Sequence, residues 1–234
     1  MPKLSGNKGE WSEIYAFLRL LEIKKLYAAD AELNKKDDMF YNIINIIRTE
    51  PIGTLEFRIN KADDTVSVIK TDTEDVLLTL PCDEFKTAAD NLYNEIINAN
   101  KSSFESQDTE EFLEQLNIGV LKAKSTDKAD IRIKIHDINT GYETVQGFSI
   151  KSRLGSPSTL VNAGKTTNFV FEVIGNINDD VMNGFNTCSK KFKDRFDFLS
   201  GCDCDIEYCS MDNDIFESNL QLIDGDLPKI CAYM

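Results

Sequence analysis

Apolar residues recur at the spacing of one helical face in three segments of the chain. Residues 82–100 and 108–116 show this spacing, and both segments open with Asp or Thr in a position suited to an N-cap and continue with acids. The third segment is 10–30 (EWSEIYAFLRLLEIKKLYAAD), whose apolar stripe consists of Trp11, Ile14, Phe17, Leu18 and Leu21. The pattern predicts an N-terminal helix and two later helices.

Alternation of apolar and polar residues predicts strands elsewhere. Residues 52–80 contain the short runs TLEFRI, TVSVIK and VLLTL, separated by the polar turns NKADD and TDTED. Such runs are typical of a meander of antiparallel strands, which we interpret as an added, peripheral sheet. Residues 129–137 and 142–152 form a second pattern, a hairpin with its turn at Asn139, Thr140 and Gly141, followed by a β-rich run at 166–174.

Together these elements predict an α/β or α+β fold. Its mixed central sheet would contain 129–137, 142–152 and 166–174, flanked by helices, with the 52–80 strands added. The chain shows no internal repeat and no low-complexity linker, so we treat 1–234 as a single domain.

The hairpin predicts which residues face each other across the strands. A turn centred near Thr140 pairs residues whose numbers sum to about 280, so Asp130 lies across from 149–151. A shift of one residue moves a side chain to the other face of the sheet. The pattern therefore predicts that Asp130 and Lys151 are near each other and leaves their orientation open.

Composition excludes several classes of protein. With 41% hydrophobic and 28% charged residues, the chain matches folded globular proteins and not disordered ones. No stretch approaches the roughly 18 to 20 apolar residues of a membrane span, and the first residues lack the apolar core of a secretory signal. We therefore expect a cytoplasmic protein without a membrane partner, whose six cysteines are reduced thiols.

Charge is distributed unevenly along the chain. The net charge is −14, which by itself argues against a polyanionic ligand. Residues 121–169, however, hold eight bases and four acids, and the part from 146 to 169 holds three bases and no acid. We interpret 146–169 as a candidate anion-facing surface; the alternative is a polar loop that happens to lack carboxylates.

An acid that opens one strand, with a lysine late in the next strand, suits a metal-dependent phosphodiesterase. A carboxylate can hold Mg²⁺, a hard cation that prefers oxygen ligands. The metal would polarise the phosphate and lower the pKa of a bound water, and a lysine would orient that water and offset negative charge. Asp130 and Lys151 have this placement, although their spacing alone is common among proteins.

Three runs of sequence carry a much more specific signal. They are LSGNKGEWSEIY at 4–15, STDKADI at 125–131 and GFSIKSRLGSPSTLVNAGKTTNF at 147–169. In these runs the chain closely resembles the HpaII family of type II restriction endonucleases, which are assigned to the PD-(D/E)xK nuclease superfamily. The resemblance extends from Met1 to about Ile174 and implies a restriction-endonuclease-like fold with its catalytic core strands in 121–174.

The resemblance implies catalytic roles for particular residues. Asp130 would be the metal-binding aspartate and Lys151 the lysine of the motif. Ser149 stands where the superfamily pattern has Glu or Asp, so a second metal-binding carboxylate must come from elsewhere. Glu13 is our preferred substitute, with Glu10 behind it, although acids near the start of a helix also offset the macrodipole without any catalytic role.

The resemblance also implies a prokaryotic source, a substrate and partners. The protein would cut duplex DNA at a short palindrome, CCGG, with Mg²⁺, as two copies on the symmetric site, beside a DNA methyltransferase that protects the same site. Hydroxyl, amide and basic side chains in the acid-free stretch would contact phosphates or base edges. These candidate DNA contacts are Ser152, Arg153, Ser156, Ser158, Thr159, Asn162, Lys165, Thr166 and Asn168.

Other hypotheses are weaker. Cys202, Cys204 and Cys209 lack the spacing of paired zinc knuckles, and the single histidine, His136, suggests a structural residue at a strand end. Gly-Lys-Thr at 164–166 lacks the earlier glycine of a phosphate-binding loop. Because Ser149 stands in place of an acid, a non-catalytic DNA-binding module remains an alternative function. The acidic composition leaves a protein-interaction domain as a third. Since members of the resembled family extend further, we also expect that the chain lacks a C-terminal part.

Overall fold

The computed structural model describes residues 4–121, 129–154 and 164–234. The chain divides into two compact units, Met1–Ser158 and Thr159–Met234. Among the described residues, no helix combines the length and the apolar character that crossing a membrane requires.

The first unit combines a large sheet with helices. Its helices are α1 (Lys8–Ile23), α2 (Cys82–Asn98) and α3 (Gln107–Gln115). Its strands are β1 (Gly6–Asn7), β2 (Lys25–Ala29), β3 (Lys35–Glu50), β4 (Gly53–Asn60), β5 (Thr65–Lys70), β6 (Asp75–Pro81), β7 (Ser103–Phe104), β8 (Ile131–His136) and β9 (Glu143–Phe148). The predicted α+β class, a sheet flanked by helices, is confirmed.

The large sheet has seven strands in the order β6-β5-β4-β3-β8-β9, with β2 also paired to β3. Every pairing in this sheet is antiparallel, so the expected mixed sheet is not what these strands form. The meander predicted over 52–80 is present as β4, β5 and β6. It continues the main sheet, however, and the expectation of a separate added sheet is wrong.

The reason for this continuity is β3, a 16-residue strand that no sequence pattern predicted. One side of β3 pairs with β4 and the other with β8, so it joins the meander to the hairpin. An irregularity between Ile43 and Asn45 interrupts its pairing with β8. A bulge breaks the period of two by which a strand is recognised in sequence.

Helix α1 begins at Lys8, two residues before the predicted segment, and ends at Ile23, seven residues before that segment ends. Asn7 and Glu10 form a reciprocal capping box at its N-terminus, which satisfies backbone N–H groups that the first turn leaves unpaired. Lys24 has φ 62°, in the left-handed region, and the following residues pair with β3 as β2. The helix predicted over 10–30 therefore stops at Ile23, because the next residues, KLYAA at 25–29, pair with β3 as a strand.

One face of the sheet packs on α1 and α2. The predicted stripe of α1 is fully buried, and the rings of Phe17 and Phe57 meet edge to face with centroids 4.8 Å apart. From β8, alternate residues Ile131, Ile133 and Ile135 enter the same core. One side of β8 is thereby buried in the core, which fixes the backbone next to the preceding residue, Asp130.

The second unit has its own small sheet. Strands β10 (Phe169–Ile174) and β11 (Asp205–Met211) pair antiparallel. The expectation that 166–174 joins the central sheet is wrong, because β11 supplies the partner. Around this pair lie a 3₁₀ turn (Lys165–Thr167) and the helices α4 (Asp179–Thr187), α5 (Phe192–Gly201), α6 (Asp214–Gln221) and α7 (Leu227–Ala232).

Candidate active site

Asp130 lies immediately before β8 and turns its carboxylate toward the neighbouring chain segment. The pairing of Ile131 with Phe148 places Asp130 opposite Ser149, as the hairpin predicted. Its backbone N–H donates to the Phe148 carbonyl at 3.0 Å, and its Oδ2 accepts from the Ile150 N–H at 2.7 Å. Within the described ranges no hydrogen bond to its Oδ1 is found, and this second oxygen is the one that could bind a ligand.

Lys151 follows the residue that Asp130 binds. The segment 149–154 leaves the sheet after β9, and Lys151 is exposed on it. Since the Asp130 carboxylate is bonded to the backbone of Ile150, the predicted proximity of Asp130 to 149–151 is confirmed. Ser149, also exposed, lies opposite Asp130 and offers a hydroxyl in place of a carboxylate.

The two acids at the start of α1 have different surroundings. Glu10 is the N3 residue of the capping box, and its Oε2 accepts from the Asn7 N–H at 2.9 Å. Glu13 lies beyond the first turn, where the helix dipole favours acids less. The macrodipole explanation therefore fits Glu10 better than Glu13, which is half-buried.

A pair of hydroxyls links α1 to the segment of Lys151. Ser12 Oγ and Ser152 Oγ are 2.9 Å apart, and Ser152 Oγ accepts from the Leu154 N–H at 3.1 Å. The first turns of α1, the start of β8 and the segment 149–154 thus meet in one place. Sequence patterns did not point to Ser12 as a site residue, although it lies within the run 4–15.

The end of β3 forms the other wall of the site. A pocket beside Asp130 is lined by Ile47, Arg48 and Thr49 of β3 and by residues 129–132. Arg48, which lines this pocket, also forms an ion pair with Glu50 at 2.9 Å, in which the Glu50 side chain is fully buried. Neither residue was predicted, because β3 itself was not.

The remaining acids of the hairpin hold its far end together. Asp137 Oδ1 accepts from the Asn139 N–H at 2.9 Å and Oδ2 from the Thr140 hydroxyl at 2.9 Å, and these bonds lower the pKa of the Asp137 carboxyl. Lys134 hydrogen-bonds Glu143 and lowers the pKa of that carboxyl. Gly141 takes φ 74° in the same turn, which confirms the predicted turn position.

The structure describes five of the nine candidate DNA contacts. Arg153 is exposed and Ser152 half-buried in the first unit, whereas Thr166 and Asn168 are exposed in the second. Lys165 begins the 3₁₀ turn of the second unit. Ser156, Ser158, Thr159 and Asn162 lie outside the described residues.

In the described parts of the chain, no three His, Cys, Asp or Glu side chains are grouped as a complete metal site. The described cysteines are free thiols. His136 is the last residue of β8, next to the turn, as the sequence predicted.

Gly147 allows β9 to pass close to the backbone that leads into Asp130. A Cβ at Gly147 would stand 2.7 Å from the Ala129 Cβ, so one of the two strand ends would have to move. We expect Gly147→Ala to lower the free energy of unfolding by about 1–3 kcal/mol, the usual cost of overpacking. Urea unfolding will measure this, with Gly201→Ala as the control, because a Cβ there meets no atom within 4 Å. Equal unfolding midpoints for the two variants would contradict the close approach.

An antiparallel sheet flanked by helices, with Asp130 opposite the segment that leads to Lys151, is consistent with a restriction-endonuclease fold. The sequence model of the HpaII restriction endonuclease family matches residues 7–234. The type II restriction enzyme HpaII of Haemophilus parainfluenzae is 36% identical over 231 residues, which are 98% of this chain and 63% of the relative. The chain belongs to the HpaII restriction endonuclease family and spans less than two thirds of that relative's length. No solved structure matches it.

Proposed function

We propose that the protein is a type II site-specific deoxyribonuclease that hydrolyses duplex DNA with Mg²⁺ at a short palindrome, CCGG. Membership of the HpaII family supports the class of reaction. The observation that carries the proposal is the Asp130 carboxylate bonded to the backbone N–H next to Lys151. This contact brings a potential metal ligand next to the backbone of Lys151, whose ammonium would supply the cation for phosphodiester hydrolysis.

The chemistry of Asp130 supports Mg²⁺ as the ion. Its carboxylate has a second oxygen besides the one bonded to Ile150, and Mg²⁺ prefers oxygen ligands such as carboxylates while it keeps several waters. Asp130 and Glu13 would hold the ion, since Ser149 provides no charge. When bound, Mg²⁺ would stabilise negative charge on the phosphate and lower the pKa of a bound water.

The chain's own residues would do the remaining work. The Lys151 ammonium would donate to the attacking water or to a phosphate oxygen and offset the charge that develops there. Arg153 and Lys165 would contact phosphates or guanine edges, and the hydroxyl and amide side chains of the acid-free stretch would contact phosphates or base edges. Cutting both strands of a palindrome brings two copies to the site, and a methyltransferase of the same specificity would protect the host.

One observation favours a second candidate, a DNA-binding module that does not cut. Ser149 occupies the position of a metal-binding acid, and a neutral hydroxyl there weakens the site for a divalent cation. A module of this kind would bind DNA with or without Mg²⁺ and leave it intact.

We expect the protein to convert a plasmid containing CCGG into linear fragments in the presence of Mg²⁺ and not in the presence of EDTA. A plasmid without CCGG, and one methylated at that site, are the controls and should remain intact. Gel electrophoresis measures the products, and a shift assay in EDTA measures binding. Binding without cutting would favour the module, and neither binding nor cutting would overturn both candidates.

A further inference from the structure

The segment that carries Lys151 has left the sheet, so a strand ladder does not fix its backbone. Among the described residues, two hydrogen bonds flank Lys151 and help to hold the segment, one on each side. Before it, the Ile150 N–H donates to Asp130 Oδ2 at 2.7 Å. After it, Ser152 Oγ is 2.9 Å from Ser12 Oγ on α1.

The direction of the second contact follows from the number of protons available. Ser12 Oγ lies 2.6 Å from the Lys8 carbonyl, which can only accept, so the Ser12 hydroxyl proton is used there. The proton between the two serines must then belong to Ser152. Ser152 Oγ also accepts from the Leu154 N–H. The hydrogen bonds therefore form a chain, in which Leu154 donates to Ser152, Ser152 donates to Ser12, and Ser12 donates to the Lys8 carbonyl.

On the α1 side of this contact, Ser12 occupies a tightly packed position. Ser12 is only 3% exposed and lies between Trp11 and the fully buried Ile14, so the core fixes its position. Glu13 follows Ser12 in the same helical turn. A bond from Ser152 to Ser12 therefore limits how far the backbone of Lys151 can move from the helical turn that carries Glu13, the second candidate metal ligand.

We propose that Ser12 and Ser152 are positioning residues of the active site, which hold Lys151 in register with Asp130 and with α1. This inference rests on the proposed function for its effect on cleavage, and on the hydrogen bonds alone for its effect on the segment. It also changes the expected role of Ser152, because a hydroxyl proton that is donated to Ser12 is not donated to a DNA phosphate.

The first test measures cleavage of a CCGG duplex by Ser12→Ala, Ser152→Ala and the double variant. Loss of partners that orient a site commonly costs about 10- to 100-fold, so each single variant should lower kcat by that factor and change KM for DNA less than about threefold. Because the two hydroxyls act through one bond, the double variant should be no slower than the worse single variant. Ser152→Thr, which keeps the hydroxyl, should restore most of the rate.

The control is Thr87→Ala on α2. The Thr87 hydroxyl donates to the Asp83 carbonyl four residues earlier, as Ser12 does to Lys8, and Thr87 is exposed. It should keep wild-type kcat. Unchanged kcat in Ser12→Ala, or independent losses that multiply in the double variant, would overturn the inference.

The second test needs no activity. Hydrogen exchange followed by mass spectrometry should show the amides of 149–154 exchanging at least about tenfold faster in Ser12→Ala than in the wild type, with α2 unchanged. If the wild type does not cut DNA but Ser12→Ala shows the faster exchange, the proposed function is wrong and the positioning role of Ser12 and Ser152 stands. If the wild type cuts DNA but Ser12→Ala shows no faster exchange, the positioning role of Ser12 and Ser152 is wrong and the proposed function stands.

Discussion

Asp130→Asn is expected to reduce the rate of DNA cleavage by about a thousandfold or more, because the loss of an outer-shell partner already costs about 10- to 100-fold. The amide oxygen of Asn can still accept the Ile150 N–H, so the segment of Lys151 should keep its place. The charge that attracts Mg²⁺ is lost. DNA binding in EDTA should be unchanged or slightly tighter, since one negative charge near the phosphates is removed.

The matched control is Asp137→Asn, at the opposite end of the same strand. Asp137 bonds within its turn, where an Asn side chain also accepts from the Asn139 N–H, so cleavage should continue at the wild-type rate. Single-turnover cleavage measures both variants, and circular dichroism checks their folding. Equal rates for Asp130→Asn and the wild type would remove Asp130 from the catalytic mechanism.

Glu50→Gln is expected to lower the free energy of unfolding by about 3–5 kcal/mol, the usual cost of breaking a buried ion pair by removing one partner. The Glu50 side chain is fully buried and that of Arg48 only 9% exposed. Glu50 Oε2 also accepts from the Gly119 N–H at 2.9 Å, and Arg48 Nη2 donates to the Val120 carbonyl at 2.9 Å. The neutral amide would leave the Arg48 charge buried without a counter-ion.

Thermal and urea unfolding will measure this effect, with Asp37→Asn as the control. Asp37 pairs with Lys35, and both side chains are largely exposed, so that variant should unfold at the wild-type midpoint. The double variant Arg48→Met with Glu50→Leu should recover much of the lost stability, because it removes both buried charges. A Glu50→Gln midpoint equal to that of Asp37→Asn would show that the pair contributes little.

Much of the fold could be predicted where one period continues for many residues. The helical stripe of α1 and the alternation in β8 both extend over several residues and face one core. The end of α1 and the whole of β3 could not be predicted in this way. The first depends on pairing with a strand further along the chain, and the second contains a bulge that interrupts its period.

The candidate site shows the same division. The neighbourhood of Asp130 and Lys151 follows from a hairpin, whose turn brings nearby residues together, and it was predicted. Ser12 and Ser152 are 140 residues apart, and a hydrogen bond between them depends on where α1 packs. The ion pair of Arg48 with Glu50 depends on the position of β3.

The sequence by itself determined which segments form the main helices and the hairpin, because these depend on local periodicity. It also determined the acid-free stretch from 146 to 169 and the family, because these depend on local charge and on the identity of residues in short runs. The tertiary structure alone decided that one sheet joins the meander to the hairpin and that α1 binds the segment of Lys151. Contacts of this kind join residues far apart in the chain, and their geometry follows from how whole elements pack, which no local pattern encodes.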